Sequence, residues 1–184
     1  MTRRLVNSTY ISLDGVIENP QDWPSSDVDD PTFGAIQTEL LLASDALVMG
    51  RRTYESFAAV WPTRSGDPAS DRVNSMAKYV VSSTLRDPEW NNTTVISGDP
   101  IPEIRRMKEQ PGQDIVQYGF GQLSYALLEH GLLDELRLWV HPFLLRSGGP
   151  QDLLFQPGSA PVTFDFVDST VLPSGVVILT YRVT

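Results

Sequence analysis

The chain has 184 residues, 41% hydrophobic and 9% aromatic, which is material for one globular domain spanning residues 1–184. Acidic residues outnumber basic ones 23 to 14, and the formal charge of −9 argues against nucleic acid or an anionic membrane as partner, because basic patches hold both. With no cysteine and only two histidines, disulfides and thiolate metal sites are excluded, no catalytic metal is expected, and a reducing, cytoplasmic setting fits.

Met1 to Tyr10 has two arginines but no apolar stretch after them, so it is not read as a secretory signal. No segment approaches the roughly 18 uninterrupted apolar residues of a membrane span. Leu5 to Leu13 reads as a first strand, Asp14-Gly15 as a turn, and Glu18 to Pro31 as a long irregular loop. Thr32 to Ala43 has helical periodicity, Ala46 to Met49 is a short buried strand, and a second helix begins at Thr53 and ends before Pro62. A loop from Pro62 to Asp71 precedes strands Lys78 to Ser82 and Thr93 to Ile96. Ile101 to Glu109 is a helix with Pro102 in its first turn. Asp114 to Tyr118 is a strand ending in Gly-Phe-Gly, Gln122 to His130 a helix closed by Gly131, and Glu135 to Pro142 a strand. Val162 to Val171 and Val176 to Val183 form a hairpin around Pro173-Ser174-Gly175.

Strands alternating with helices imply right-handed crossovers and a mainly parallel sheet, to which the terminal hairpin adds an antiparallel edge. Ligands on such sheets bind beyond the carboxyl ends of the strands. At one such end, Gly50-Arg51-Arg52-Thr53 combines a helix N-terminus, two cations and a hydroxyl expected at the cap position, all suited to phosphate. At another, Tyr118-Gly119-Phe120-Gly121-Gln122-Leu123 allows close approach of backbone to a pyrophosphate, without the third glycine of the Rossmann fingerprint. Each alone also reads as an ordinary helix start or tight turn. With Ser82-Ser83-Thr84 they place phosphate-compatible groups at three strand ends, the spread that a dinucleotide needs.

The stretches SLDGVIE (Ser12 to Glu18), VMGRRTYESF (Val48 to Phe57), YVVSS (Tyr79 to Ser83), YGFGQLSYALLEHGLLDELRLWVHP (Tyr118 to Pro142) and LLF (Leu153 to Phe155) carry a resemblance. The chain resembles the dihydrofolate reductase superfamily in its RibD C-terminal-domain branch, which includes the reductase domain of bacterial riboflavin biosynthesis. The resemblance implies a three-layer α/β fold: an eight-stranded, mainly parallel mixed sheet, helices on both faces and a C-terminal antiparallel hairpin. It implies NADPH as cofactor, a heterocyclic substrate and a homodimer. Carried over by motif, Arg51 meets the 2′-phosphate, which Ser82 and Ser83 flank, while Gly50 leads into Arg52 and Thr53 at the pyrophosphate. Gly119, Phe120, Gly121, Gln122 and Leu123 wrap its other side, and Val16 and Ile17 border the nicotinamide ribose. An arginine at that place favours NADP over NAD, because a 2′-phosphate needs a cation.

Two places depart from the pattern. The acid that holds the pterin in folate reductases falls near Gly34, where there is no carboxylate, and Glu39 lies a turn or more further on. Arg146 stands where the branch has glycine, which bears on the phosphosugar end of the pocket. The zinc motif of the partner deaminase domain is absent from the sequence. Asp14 is the candidate acid–base or orienting group, or else a plain turn residue. Arg137, Trp139 and His141 share one face of their strand; Trp139 is read as stacking on a flat ring and His141 as hydrogen-bonding to it or protonating it, or else Trp139 as core and His141 as a satisfied partner of the loop. Trp23 and Trp61 sit in loops able to cover the site, and Leu127, Leu128 and Leu138 are read as a surface between copies. The reading is NADPH-dependent reduction of a heterocycle, nearest to 5-amino-6-(5-phosphoribosylamino)uracil reductase. The alternatives are dihydrofolate reduction and a non-catalytic nucleotide-binding module.

Overall fold

The computed structural model describes residues 3–24, 30–155 and 160–184; positions 25–29 of the expected Glu18–Pro31 loop lie outside them. In chain order the elements are β1 (Leu5–Ser12), α1 (Pro31–Leu42), β2 (Ser44–Gly50), α2 (Arg51–Ala58), α3 (Pro68–Ser75), β3 (Ala77–Val81), β4 (Thr93–Ile96), α4 (Pro100–Glu109), β5 (Asp114–Tyr118), α5 (Gln122–Glu129), β6 (Glu135–His141), β7 (Phe164–Val171) and β8 (Val177–Val183). The strands form one sheet in the order β4-β3-β2-β5-β1-β6-β8-β7. The first six pair parallel, and β8 runs antiparallel to both β6 and β7. This is the expected eight-stranded α/β architecture.

Alternation along the strands builds the layers. Leu5, Val48, Ile115 and Leu136 point to one face, beneath Ile104 and Met107 of α4 and Leu127 of α5. Val6, Leu47, Met49, Val80 and Val116 point to the other, beneath Leu40 and Leu41 of α1, Tyr54 of α2 and Val73 of α3. A third cluster joins Phe33 of α1 to Trp139 and Ile178 on the same side. Because both faces are covered, β2 carries a continuous apolar run from Ala46 to Met49. Burying each such side chain contributes roughly 1.5–3 kcal/mol. Leu127 lies within the core, and Leu128 and Leu138 pack against it while each keeps part of its surface accessible.

Aspartates start three helices. Asp30 Oδ1 accepts from the Thr32 and Phe33 amides while its Oδ2 accepts from Ser174, tying α1 to the β7–β8 hairpin. Asp67 caps α3 and Asp99 caps α4. The expected Pro62–Asp71 loop therefore contains the start of a helix; its signal was Asp67-Pro68, an N-cap followed by proline. Helix α2 begins at Arg51 rather than Thr53, so Gly50 holds the cap position and Thr53 lies within the first turn. At the amino ends of the strands, ion pairs Arg3–Asp45, Arg4–Asp114 and Lys108–Asp134 clamp the edge remote from the carboxyl-end rim.

Candidate active site

The order β3-β2-β5 sets three carboxyl ends side by side. Strand β2 runs directly into α2, and Gly50 offers no side chain to the helix N-terminus, which leaves first-turn amides open to a ligand. Arg51 donates from Nε to Glu55 Oε1 (2.6 Å) and from Nη1 to Thr84 Oγ1 (2.6 Å), joining the α2 start to the end of β3. Ser82 is buried, and its Oγ accepts from the Thr84 and Leu85 amides, so it builds the turn that presents exposed Ser83.

The β5–α5 turn closes from the other side. Gly119 has φ +76°, and a Cβ there would lie 3.3 Å from Thr53 Oγ1. The position thus needs glycine both for its backbone and for the approach of α2. Asn7 Nδ2 donates to the Gly119 carbonyl at 2.8 Å and holds the turn down. Phe120 is buried edge-on against Tyr125, Gly121 caps α5, Gln122 is exposed and Leu123 is half-buried. Val16 and Ile17 are buried; the Val16 amide donates to Ser12 Oγ and that of Ile17 to the Asp152 carbonyl.

Next to this rim, between α1 and α2, lies a cleft of about 760 Å³. Ser8, Tyr10 and Tyr118 lie along it from the sheet, and Ile17 and Glu18 from the segment after β1. Arg52 pairs with Glu18 at 3.4 Å, linking α2 to that segment. Trp61 lies at the cleft with the Arg64 guanidinium 5.4 Å from its ring centre. Burial pushes the Tyr118 phenol above its ordinary pKa, with the Tyr10 phenol adding to the effect, so Tyr118 is a neutral O–H donor at the cleft.

The three candidates for chemistry have other settings. Asp14 is exposed, outside the cleft lining, and accepts from Ser12 Oγ (2.6 Å) and from the Leu145 and Arg146 amides (3.1 and 2.8 Å). These donors, Ser12 first, hold its pKa down at about 2. It positions the loop in which Arg146 takes φ +54°, a left-handed conformation that glycine adopts without strain. The Asp14 contribution to stability is present above its ordinary pKa of 3.8 and is lost as pH falls towards 2. The stability gap between the wild type and Asp14→Ala is expected to close over that window in acid-unfolding curves.

Trp139 does lie on the cleft side of β6 but has no exposed surface; it packs against Phe33 and donates from Nε1 to Ser8 Oγ at 3.0 Å. It supports the cleft floor rather than presenting a face to a ligand. His141 is buried among the rings of Tyr10, Trp23, Phe33 and Phe143, outside the cleft lining. Trp23 donates to the Glu18 carbonyl and packs against His141.

A family model for the RibD C-terminal domain matches residues 3–178. The chain belongs to the RibD C-terminal-domain family. This RibD-type chain is 30% identical over 185 residues to the uncharacterized protein YyaP of Bacillus subtilis, covering 98% of the chain and 95% of that protein. Its fold matches a putative riboflavin biosynthesis protein from Shewanella (TM-score 0.72, 22% identity, 100% and 99% covered). It matches a pyrimidine reductase-like protein from Corynebacterium diphtheriae as well (TM-score 0.61, 15% identity, 99% and 92% covered). A diaminohydroxyphosphoribosylaminopyrimidine deaminase/5-amino-6-(5-phosphoribosylamino)uracil reductase from Thermotoga maritima also matches (TM-score 0.66, 14% identity); there the RibD-type chain is fully covered but spans 57% of the larger protein.

In the RibD-type chain, Gly34 and Gln37 of α1 line the cleft, and α1 brings no carboxylate to it. Sequence reading missed Ser8, Tyr10 and Gln37, and it named Tyr118 only as the end of its strand. Each looks like an ordinary element residue until the sheet order brings β1 and β5 together beside α1.

Proposed function

We propose that this protein is an NADPH-dependent reductase of a heterocyclic substrate, acting as the 5-amino-6-(5-phosphoribosylamino)uracil reductases do. The observation that carries the proposal is the junction of three strand ends, where Arg51 bonds to Thr84 and Thr53 abuts Gly119, beside the cleft. The fit to a dinucleotide rests on this cradle. Arg51 and Ser83 would hold the 2′-phosphate; the open α2 amides, Arg52 and the Gly119–Gly121 turn would hold the pyrophosphate. NADPH, when bound, supplies the hydride, and the chain supplies orientation and exclusion of water. The neutral Tyr118 hydroxyl would donate a hydrogen bond to negative charge developing on the substrate.

The lining by Gly34 and Gln37, with no carboxylate from α1, supports this reading over a folate-reducing one. Binding is tested by tryptophan fluorescence, since Trp61 lies at the cleft. Saturable quenching by NADPH is expected; none at about 1 mM, the top of the usual range for such ligands, would sink the proposal. NADPH oxidation with ribosylaminopyrimidines then separates a reductase from a module that only binds nucleotide.

A further inference from the structure

We infer that Asn7 is a positioning residue for the nucleotide: from beneath the β5–α5 turn it sets the Gly119–Phe120 peptide so that the Phe120 amide faces a pyrophosphate. This rests on the nucleotide-binding part of the reductase reading. Asn7 lies on β1 and has no exposed surface. Its Nδ2 donates to the Gly119 carbonyl at 2.8 Å and to Gln117 Oε1 at 2.9 Å. Its Oδ1 accepts from the Thr9 hydroxyl at 2.7 Å. A carbonyl only accepts, so the end of the amide that meets Gly119 is the nitrogen.

Thr9, Asn7 and Gln117 make a buried polar chain on the sheet face that Leu5 and Ile115 share with the apolar core. Stability alone does not ask for it, because apolar side chains of like shape at both amide positions would serve the core nearly as well. What the chain adds is a direction. A trans peptide carries its C=O and N–H on opposite sides, so a Gly119 carbonyl drawn inward to Asn7 turns the Phe120 N–H outward. Among the described residues, no group accepts from that N–H. The next amide, that of Gly121, already donates to Ser124 Oγ at 3.4 Å. Gly119 lines the cleft while the Phe120 side chain is buried, so this peptide is the part of the turn presented to a ligand.

Glycine does not supply the hold by itself. At φ +76° Gly119 tolerates rotation of the peptide plane that follows it, with little movement of the flanking Cα atoms. The rotated peptide would offer a carbonyl oxygen to the anion in place of an N–H, and attraction would become repulsion. The Ser124 hydroxyl reaches the Gly119 carbonyl only at 3.5 Å, which does not replace the shorter bond from Asn7. A pyrophosphate is common to NADPH and NADH, so Asn7 should serve both equally.

The experiment compares wild type, Asn7→Leu and the double variant Asn7→Leu/Gln117→Leu. The double variant replaces both core amides and guards against a single change that fails to fold. Titration calorimetry reads the affinities for NADPH, NADH and adenosine 2′-monophosphate, which carries no pyrophosphate. Amide NMR reads the Phe120 N–H. In wild type, NADPH and NADH should shift the Phe120 signal, and the monophosphate should leave it in place. Both variants should lose NADPH and NADH affinity by the same factor, about tenfold or more, and keep monophosphate affinity within about twofold. A merely structural Asn7 would lower the melting temperature and leave all three affinities unchanged, or weaken them alike. Either result overturns the inference, as does a wild-type Phe120 signal that bound NADPH leaves unmoved; the reductase reading then stands without it. If wild type binds no nucleotide, the reductase reading fails, and the ligand-free spectra decide on Asn7. A Phe120 signal displaced in the variants keeps Asn7 as the residue that sets the turn, and one that stays in place overturns that role.

Discussion

Replacing Arg51 with alanine is expected to weaken NADPH binding by roughly ten- to a hundredfold while changing NADH binding by less than about threefold. A charge-assisted hydrogen bond to a phosphate is worth about 1.5–3 kcal/mol, and NADH has no 2′-phosphate to lose. Glu55 and Thr84 hold the guanidinium at Nε and Nη1, which orients its remaining N–H groups before a ligand arrives. The residue is about half exposed, so screening reduces its effect, and the loss should be largest at low ionic strength. Lysine should restore only part of the affinity, since a point charge replaces a planar fork. Fluorescence titrations with both nucleotides at two salt concentrations check this. Equal losses for NADPH and NADH would place Arg51 away from the 2′-phosphate.

The second large effect concerns stability. Lys78 on β3 is fully buried, and its Nζ donates to the carbonyls of Asn74, Met76 and Asn91 at 2.9–3.1 Å, 4.5 Å from the centre of the Trp90 ring. It fastens the end of α3 and the turn before β4 to the strand whose far end carries Ser82 to Thr84. Lys78→Ala leaves three carbonyls without their donor and opens a cavity, a loss of about 3 kcal/mol after relief of the ammonium's desolvation is counted. Burial pulls the ammonium's pKa down to about 8, against an ordinary 10.5. Between those values the unfolded chain holds a proton that the native chain has released, so the residue's contribution rises with pH across the window. The cost of Lys78→Ala should therefore be greater at pH 10 than at pH 7. Denaturant titrations at the two pH values measure it, and a loss below about 1 kcal/mol at both would refute the fastening role.

The contrast between these two residues shows which features local sequence can carry. Arg51 sits in a strand–glycine–helix junction whose chemistry is contiguous, and the Gly119–Gly121 turn is another; both could be read from a few neighbouring letters. Lys78 reads only as the start of a strand, and the distant carbonyl of Asn91 and the Trp90 ring make it a buried fastener. The first turn of α3 reads as loop because Pro, Ser and Asp compose both loops and helix starts, and the Asp67 cap is the deciding detail.

The eight strands, their alternation with helices and the junctions that gather at the carboxyl-end rim were determined by the sequence itself, because hydrophobic period and junction chemistry are local properties. Tertiary structure alone decided the chemistry of the cleft. Strand β6 is covered on both faces, so its period of two could not say that Trp139 would be sealed beneath Phe33 and serve Ser8. Asp14 meets its Leu145 and Arg146 partners more than 130 residues along the chain. Gln37 is left with an unanswered acceptor only because α1 lies over β1 and its other amide atom is taken by Tyr10. Hydrogen bonds between distant segments leave no periodic trace in sequence.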